Sequence, residues 1–401
     1  MRPDLRWILG CAAPVVVGAI LVGSGAASSG SAIATAAPHG AIRSSAHRSS
    51  TAFGIDVDTS DADIGRTHVP QVLSMVKQAG ATAVRFGGNW NSAEPSPGVY
   101  NFRALDQLLA LTHSDDFTLL FGLGDEPAWD ATNGNPNAPP EDCNSPTATC
   151  TSVSDYVTAL VRHAAPEGLH YIISRNEPED FNRNWVGSDP NTFAHFQQVV
   201  FRAAHDADPS IDVLNGGTVA LSRSLVALGK SLAPDVPYDQ KAVAFASALY
   251  ANPAYCDSLD VLDLHVGDHG PVYSPRIVDA SETAIEACDG GRHVPVWVTE
   301  VGYPSIAALQ SSPVYQKELV GDKYRGGGSG QASFLTDTFT ALEKNHNVVG
   351  INWTFMIDPN TTPTPPRRAT YDHLLGFGDG LATSSYTPKA AYTAFKNVAE
   401  R

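Results

Sequence analysis

Eight short apolar segments rich in β-branched and aromatic residues alternate with segments of helical spacing. That alternation predicts an α/β chain folded as a single (β/α)8 TIM barrel. Two further observations agree. About 350 residues remain once an N-terminal leader is set aside, which suits one such barrel. Three long polar loops follow the third, seventh and eighth strand-like segments, so in a barrel they would rise around its C-terminal face. A doubly wound open sheet is the alternative. It usually carries a Gly-rich turn after an early strand, and Gly87-Gly88-Asn89 does not have that form.

In chain order, Arg2 and Arg6 precede an uncharged run over residues 7–22 and then small residues. This is the pattern of a signal peptide, assigned to residues 1–36, with cleavage after Ala26 or Ala36. The run is shorter than the ~20 residues a membrane span needs, so no membrane attachment is expected after cleavage. Residues 37–52, rich in Ser, Ala, His and Arg, read as a disordered leader. The catalytic-size domain is then 53–401. Strands are expected at 53–57, 83–86, 117–123, 169–177, 211–217, 259–265, 295–300 and 348–353. Helices are expected near 68–78, up to about 111, 153–163, 193–207, within 220–258, 276–287, 332–344 and 389–398. The long loops are 125–152, 301–330 and 358–388.

The net charge is −16. An acidic chain repels nucleic acid and anionic membrane, while a neutral substrate is indifferent to that field. Outside the leader there are four cysteines, Cys143, Cys150, Cys256 and Cys288. An even count in an exported chain implies two disulfides. Three connectivities are open, and the short local loop favours Cys143–Cys150 with Cys256–Cys288. Their spacing is not that of a zinc site.

Polar and aromatic residues end the predicted strands. Arg85 ends the second, Trp129 follows the third, and Asn176-Glu177-Pro178 ends the fourth. His265 ends the sixth, Glu300 the seventh and Trp353 the eighth. Proline cannot donate to a sheet ladder, so Pro178 fixes Glu177 at a strand exit. A closed barrel would bring Glu177 and Glu300 to one mouth. Two carboxylates with aromatic walls are what glycoside hydrolysis needs: one protonates the leaving oxygen and the other attacks the anomeric carbon. Tryptophan faces stack on the apolar C–H faces of sugar rings.

From about Phe53 to its end the chain resembles the retaining glycoside hydrolases of clan A. The residues that carry the resemblance are Asn176-Glu177, Thr299-Glu300, Val84-Arg85-Phe86 with Trp90, the run Glu94-Pro95-Ser96-Pro97-Gly98-Val99-Tyr100-Asn101-Phe102, and Thr387-Pro388-Lys389-Ala390-Ala391-Tyr392. The stretch from Asn176 through Trp185 and Asp208-Pro209 to Gly216-Gly217 is similar to the branch containing β-xylosidases, iduronidases and exopolysaccharide endoglycosidases. The resemblance implies Glu177 as acid/base and Glu300 as nucleophile. It also implies that Asn176 binds the sugar 2-hydroxyl and that Arg85 keeps Glu300 ionised. His265 and Tyr303 would be positioning residues, and Trp353 the floor of the subsite. A carbohydrate substrate, no cofactor and a monomer are expected, and the signal-peptide pattern implies secretion. Two departures stand out. Arg175 occupies a position where the branch usually has an aromatic, and His265-Val266-Gly267-Asp268-His269 has no counterpart.

Other readings compete. A non-catalytic carbohydrate-binding barrel would have no reason to keep both carboxylates. Asp263, His265, Asp268 and His269 could instead hold a catalytic metal, but barrel metallohydrolases also use a His pair on an early strand, and Asp56 and Asp58 offer none. Gly326-Gly327-Gly328-Ser329-Gly330 does not fit a nucleophile elbow. The Asn352-Trp353-Thr354 sequon sits in a predicted strand and reads as chance.

Overall fold

The computed structural model describes residues 51–57, 68–180, 184–187, 189–218, 240–310, 322–358 and 378–401. The residues expected to form a signal peptide, and nearly all of those expected to form a leader, fall outside them. So do Asp58 and most of the stretch between the fifth strand and residue 240.

Period-two alternation sorts each strand's side chains onto two faces. In β2 (Ala83–Gly87), Val84 and Phe86 pack outward in the main core, whereas Ala83 joins a separate inner cluster with Leu120, Ile173, Leu214 and Trp297. That inner cluster is the barrel's filling. The eight strands are β1 (Ala52–Asp56), β2, β3 (Thr118–Gly122), β4 (Tyr171–Ile173), β5 (Asp212–Leu214), β6 (Leu262–Gly267), β7 (Val296–Val301) and β8 (Val348–Thr354). They run parallel in the order β5-β4-β3-β2-β1-β8-β7-β6. Between β5 and β6 only isolated bridges, Leu214 to Val261 and Thr218 to Leu264, complete the ring. Asn215 compensates there. Its side-chain oxygen accepts from Asp263 N at 2.8 Å, and its amide donates to Asp263 O at 3.2 Å. One side chain thus replaces two missing ladder bonds, since buried backbone groups need partners.

Each helix covers the sheet with one apolar stripe. The helix Thr151–Ala164 buries Val153, Tyr156, Val157, Leu160, Val161 and Ala164, a three-and-four spacing. The helix Pro190–Ala207 starts on Asp189, whose carboxylate accepts from Asn191 N and Thr192 N at 2.8 and 3.1 Å. Inside the barrel, Trp297 occupies the space over Gly350. A β-carbon at 350 would stand 2.1 Å from the indole.

Several elements depart from expectation: β4 and β5 are shorter than expected, and the helix expected from residue 332 begins at Gly328. β6 begins three residues later than predicted and runs to Gly267, because the Asp260 side chain, not a strand partner, takes the Val213 N–H at 2.8 Å. The helix predicted from residue 276 begins at Gly270 and carries Pro275 within it. A short helix, Trp90–Ala93, follows β2, capped by Asn89 accepting from Ser92 N at 2.8 Å. The cysteines pair as Cys143–Cys150 and Cys256–Cys288, with Cα atoms 4.4 and 6.1 Å apart. No helix among the described residues is long and apolar enough to cross a membrane.

Candidate active site

The inward residues near the C-terminal ends of the strands are polar, and Arg85 is their centre. Its Nη1 donates to Asp56 Oδ2 at 2.6 Å and to Glu300 Oε1 at 2.5 Å, and its Nη2 donates to Asn176 Oδ1 at 2.6 Å. Burial disfavours the guanidinium charge, but Asp56 and Glu300 outweigh it and hold Arg85 protonated beyond its ordinary range. Glu300 owes its direction to an irregularity. The β6–β7 and β7–β8 registers both shift around it, so consecutive residues aim inward. Thr299 Oγ1 donates to Asp263 while Glu300 meets Arg85.

Glu177 reaches the same point from β4. Its φ is 40°, in the left-handed region that β-carbon-bearing residues avoid. Residues before proline are also steered toward extended backbone. A conformation disfavoured twice is held by its surroundings, and such residues concentrate at functional sites.

His265 stands between the two carboxylates. Its ring is 1% exposed, with Nδ1 2.8 Å from Glu177 Oε1 and Nε2 facing Glu300 Oε1 at 3.4 Å, beyond hydrogen-bond geometry. The ring lies against backbone: a β-carbon at Gly217 would be 2.2 Å from Nε2. Burial opposes an imidazolium, yet Glu300 and the hydrogen bond with Glu177 overcome it and lift the pKa to about 9. The donor atoms of Glu177, His265 and Glu300 lie within 4.8 Å of one another. Both carboxylates keep about a fifth of their side-chain surface, 21% and 22%. Glu300 lines a cleft of about 1310 Å³ together with Asn89, Arg175, Asn176 and Phe355.

Three donors this close could hold a divalent ion. Here Arg85 and the imidazole already engage the carboxylate oxygens, so the donor set fits an ion-pair network better than a metal centre. Asp268 and His269 lie outside this group, and Asp263 spends its carboxylate on Thr299 and, at 3.1 Å, on Gly217 N.

Arg85, Asn176, Glu177, His265 and Glu300 thus come together. Four other expected site residues do not join them. Trp90 is buried, stacked on Tyr156 at 4.6 Å, with its indole N–H on Glu94 Oε2 at 2.7 Å. Trp129 is half-buried and donates to Glu94 O at 2.8 Å. Tyr303 is fully buried and stacks on Phe334 at 4.4 Å. Trp353 points to the outer face, against Phe334 and Phe339, and donates to Asp379 O at 2.7 Å. Asn352 takes the inward face, accepting from Trp297 Nε1 at 2.9 Å. The aromatic that lines the cleft after β8 is Phe355, which the sequence reading missed.

Arg175 ties loops rather than touching the carboxylate pair. It donates to Glu126 Oε2 at 2.5 Å, Gly124 O at 2.9 Å and Asn184 O at 2.8 Å. Glu126 is fully buried, and that burial raises its pKa to about 7 against the opposing pull of Arg175. Val186 N donates to Asn137 O at 2.8 Å, so the loops after β3 and β4 are joined twice.

Comparison with known proteins adds to this geometry. A beta-galactosidase family model, glycoside hydrolase 42, matches residues 64–154. No curated protein matches by sequence. Solved structures do match by fold. A family 39 glycoside hydrolase from Bacteroides cellulosilyticus WH2 shares 18% identity at TM-score 0.57, over 86% of this chain and 63% of that one. GH5_18 from Streptomyces cattleya, in complex with GlcNAc, shares 18% identity at TM-score 0.60, over 88% and 80%. Xylanase 10B from Thermotoga petrophila RKU-1, in complex with xylobiose, shares 14% identity at TM-score 0.56, over 87% and 94%. The chain therefore spans less than two thirds of the first of these. The likeness is to (β/α)8 glycoside hydrolases of clan A. It is spread over several families and does not single out the branch expected from sequence.

Proposed function

We propose that this protein is a retaining β-glycoside hydrolase, with Glu300 as nucleophile and Glu177 as acid/base. The observation that carries this reading is the carboxylate pair after β4 and in β7, with oxygens within 4.8 Å across one imidazole, each keeping about a fifth of its side-chain surface exposed. Carboxyl groups about 5–5.5 Å apart support a covalent intermediate, whereas inversion needs about 6.5–9.5 Å to admit a water. In the first step Glu300 attacks the anomeric carbon while Glu177 protonates the departing oxygen. In the second, Glu177 takes a proton from water, which displaces Glu300. Arg85 keeps Glu300 anionic for attack, and Asn176, its oxygen committed to Arg85, has its amide N–H groups for a sugar hydroxyl.

The part of the cleft lined by Asn89, Asn176, Glu300 and Phe355 would receive a polysaccharide or glycoconjugate substrate. The N-terminal sequence pattern and the two disulfides support secretion. A panel of 2-fluoroglycosyl fluorides and cyclophellitol-type epoxides tests the reading. Covalent label should appear on the peptide carrying Glu300. Label elsewhere, or full turnover in Glu300→Ala or Glu177→Ala, would overturn the assignment.

A further inference from the structure

Resting on that reading, we propose that the catalytic proton of Glu177 is held jointly with His265, so that the pair, not the carboxyl alone, is the acid. Three observations carry it. The Nδ1 to Oε1 contact of 2.8 Å is a hydrogen bond across which a proton can pass. The ring is 1% exposed and pressed on Gly217, so bulk water does not exchange that proton directly. Its other nitrogen faces the nucleophile at 3.4 Å, so the charge on Glu300 bears on the same ring.

The cycle balances. At rest Glu177 and Glu300 are anionic and His265 is cationic. During glycosylation the C–O bond to the leaving group breaks and the Glu300–carbon bond forms. Glu177 passes a proton to the leaving oxygen and takes the Nδ1 proton, so His265 ends neutral with its remaining hydrogen on Nε2. Glu300 has meanwhile lost its charge to the ester, which removes the attraction that favoured imidazolium. Deglycosylation reverses every transfer: water gives its proton through Glu177 to Nδ1, and Glu300 regains its charge. The net charge of the three groups stays constant throughout. The charged groups facing the ring are Glu177 from β4, Glu300 from β7, Arg85 from β2 and Asp263 from β6 itself. Groups coupled this closely titrate as a unit.

The test needs no known substrate. In full-length protein labelled with ¹⁵N-histidine, His265 should give imidazolium signals at pH 7, and its midpoint should fall in Glu177→Gln by about one pH unit or more. A neutral ring at pH 7, or a midpoint unmoved by that substitution, overturns the proposal and leaves the glycosidase assignment standing. Kinetics supply the second readout on whichever 4-nitrophenyl β-glycoside is turned over. In His265→Asn the alkaline limb of kcat/KM should move down by about two pH units, and turnover of poor leaving groups should fall about 10²-fold. For the 2,4-dinitrophenyl glycoside, whose glycosylation needs no acid, kcat/KM should change by less than about threefold, while kcat falls with the slowed deglycosylation. An equal loss of kcat/KM on both leaving groups would show a structural role and overturn the proposal. Fluorosugar labelling of Glu300, unaffected by either outcome, reports separately on the reaction class.

Discussion

Two buried arginines anchor this molecule, and they serve different ends. Arg85 and Arg175 are both less than a tenth exposed, and each is paired with a carboxylate at 2.5 Å. Arg85's partner Glu300 keeps 22% of its side-chain surface, whereas Arg175's partner Glu126 keeps 1%. Arg85 spends its other donors on side chains, Asp56 and Asn176, while Arg175 spends its own on backbone carbonyls of two loops. An ion pair open on one side offers its carboxylate to a substrate. A closed one fixes chain geometry. Access therefore distinguishes the two more than pairing does.

Breaking each pair should separate these roles. Glu300→Ala should lower kcat by roughly 10⁴-fold, with little change in melting temperature. Steady-state kinetics beside thermal melts would check both halves. Glu126→Ala should do the reverse. It leaves Arg175 buried and unpaired at a cost of about 3–5 kcal/mol, read from urea denaturation, while kcat of the folded fraction stays within a few-fold. The double variant Glu126→Leu, Arg175→Met should regain most of that stability, because an apolar replacement removes the stranded charge.

pH sharpens the contrast. His265 is raised from its ordinary 6.5 to about 9, so its charge stabilises the fold fully below pH 6.5 and that contribution is lost as pH rises through 9. Glu126, raised from 4.5 to about 7, contributes stability that is lost over the lower window. Melting temperature between pH 7 and 9 should therefore decline in the wild type and decline less in His265→Asn. The smallest effect concerns the aromatics after β8. Phe355→Ala should raise KM about fivefold, the ~1 kcal/mol worth of one stacking face. Trp353→Phe should leave KM unchanged.

The order of elements and the two carboxylates were legible because alternation and strand-end position are local properties. The eight strands and Asn176-Glu177-Pro178 needed no tertiary knowledge. The side a residue faces was less legible. The family resemblance places Trp353 in the site, yet Asn352 beside it is committed inward to Trp297, and alternation turns Trp353 out. The register shifts at Glu300 break that same alternation in the opposite sense, and no composition marks them. Trp90 and Tyr303 looked like site residues by type, but their stacking partners, Tyr156 and Phe334, lie far away in the chain. Arg175 was visible as an anomaly only. Its meaning depends on Glu126, 49 residues earlier.

The incomplete ladder between β5 and β6 bears on the Glu177–His265 hydrogen bond as well. Along the ring, β4 and its Glu177 lie on one side of that gap, and β6 with His265 on the other. The hydrogen bond that joins them is therefore also a clasp across the weakest stave of the hoop. A proton leaving that bond loosens the clasp, so amide hydrogen exchange along Leu214 and Val261 should quicken at alkaline pH beyond the base-catalysed trend seen elsewhere in the sheet.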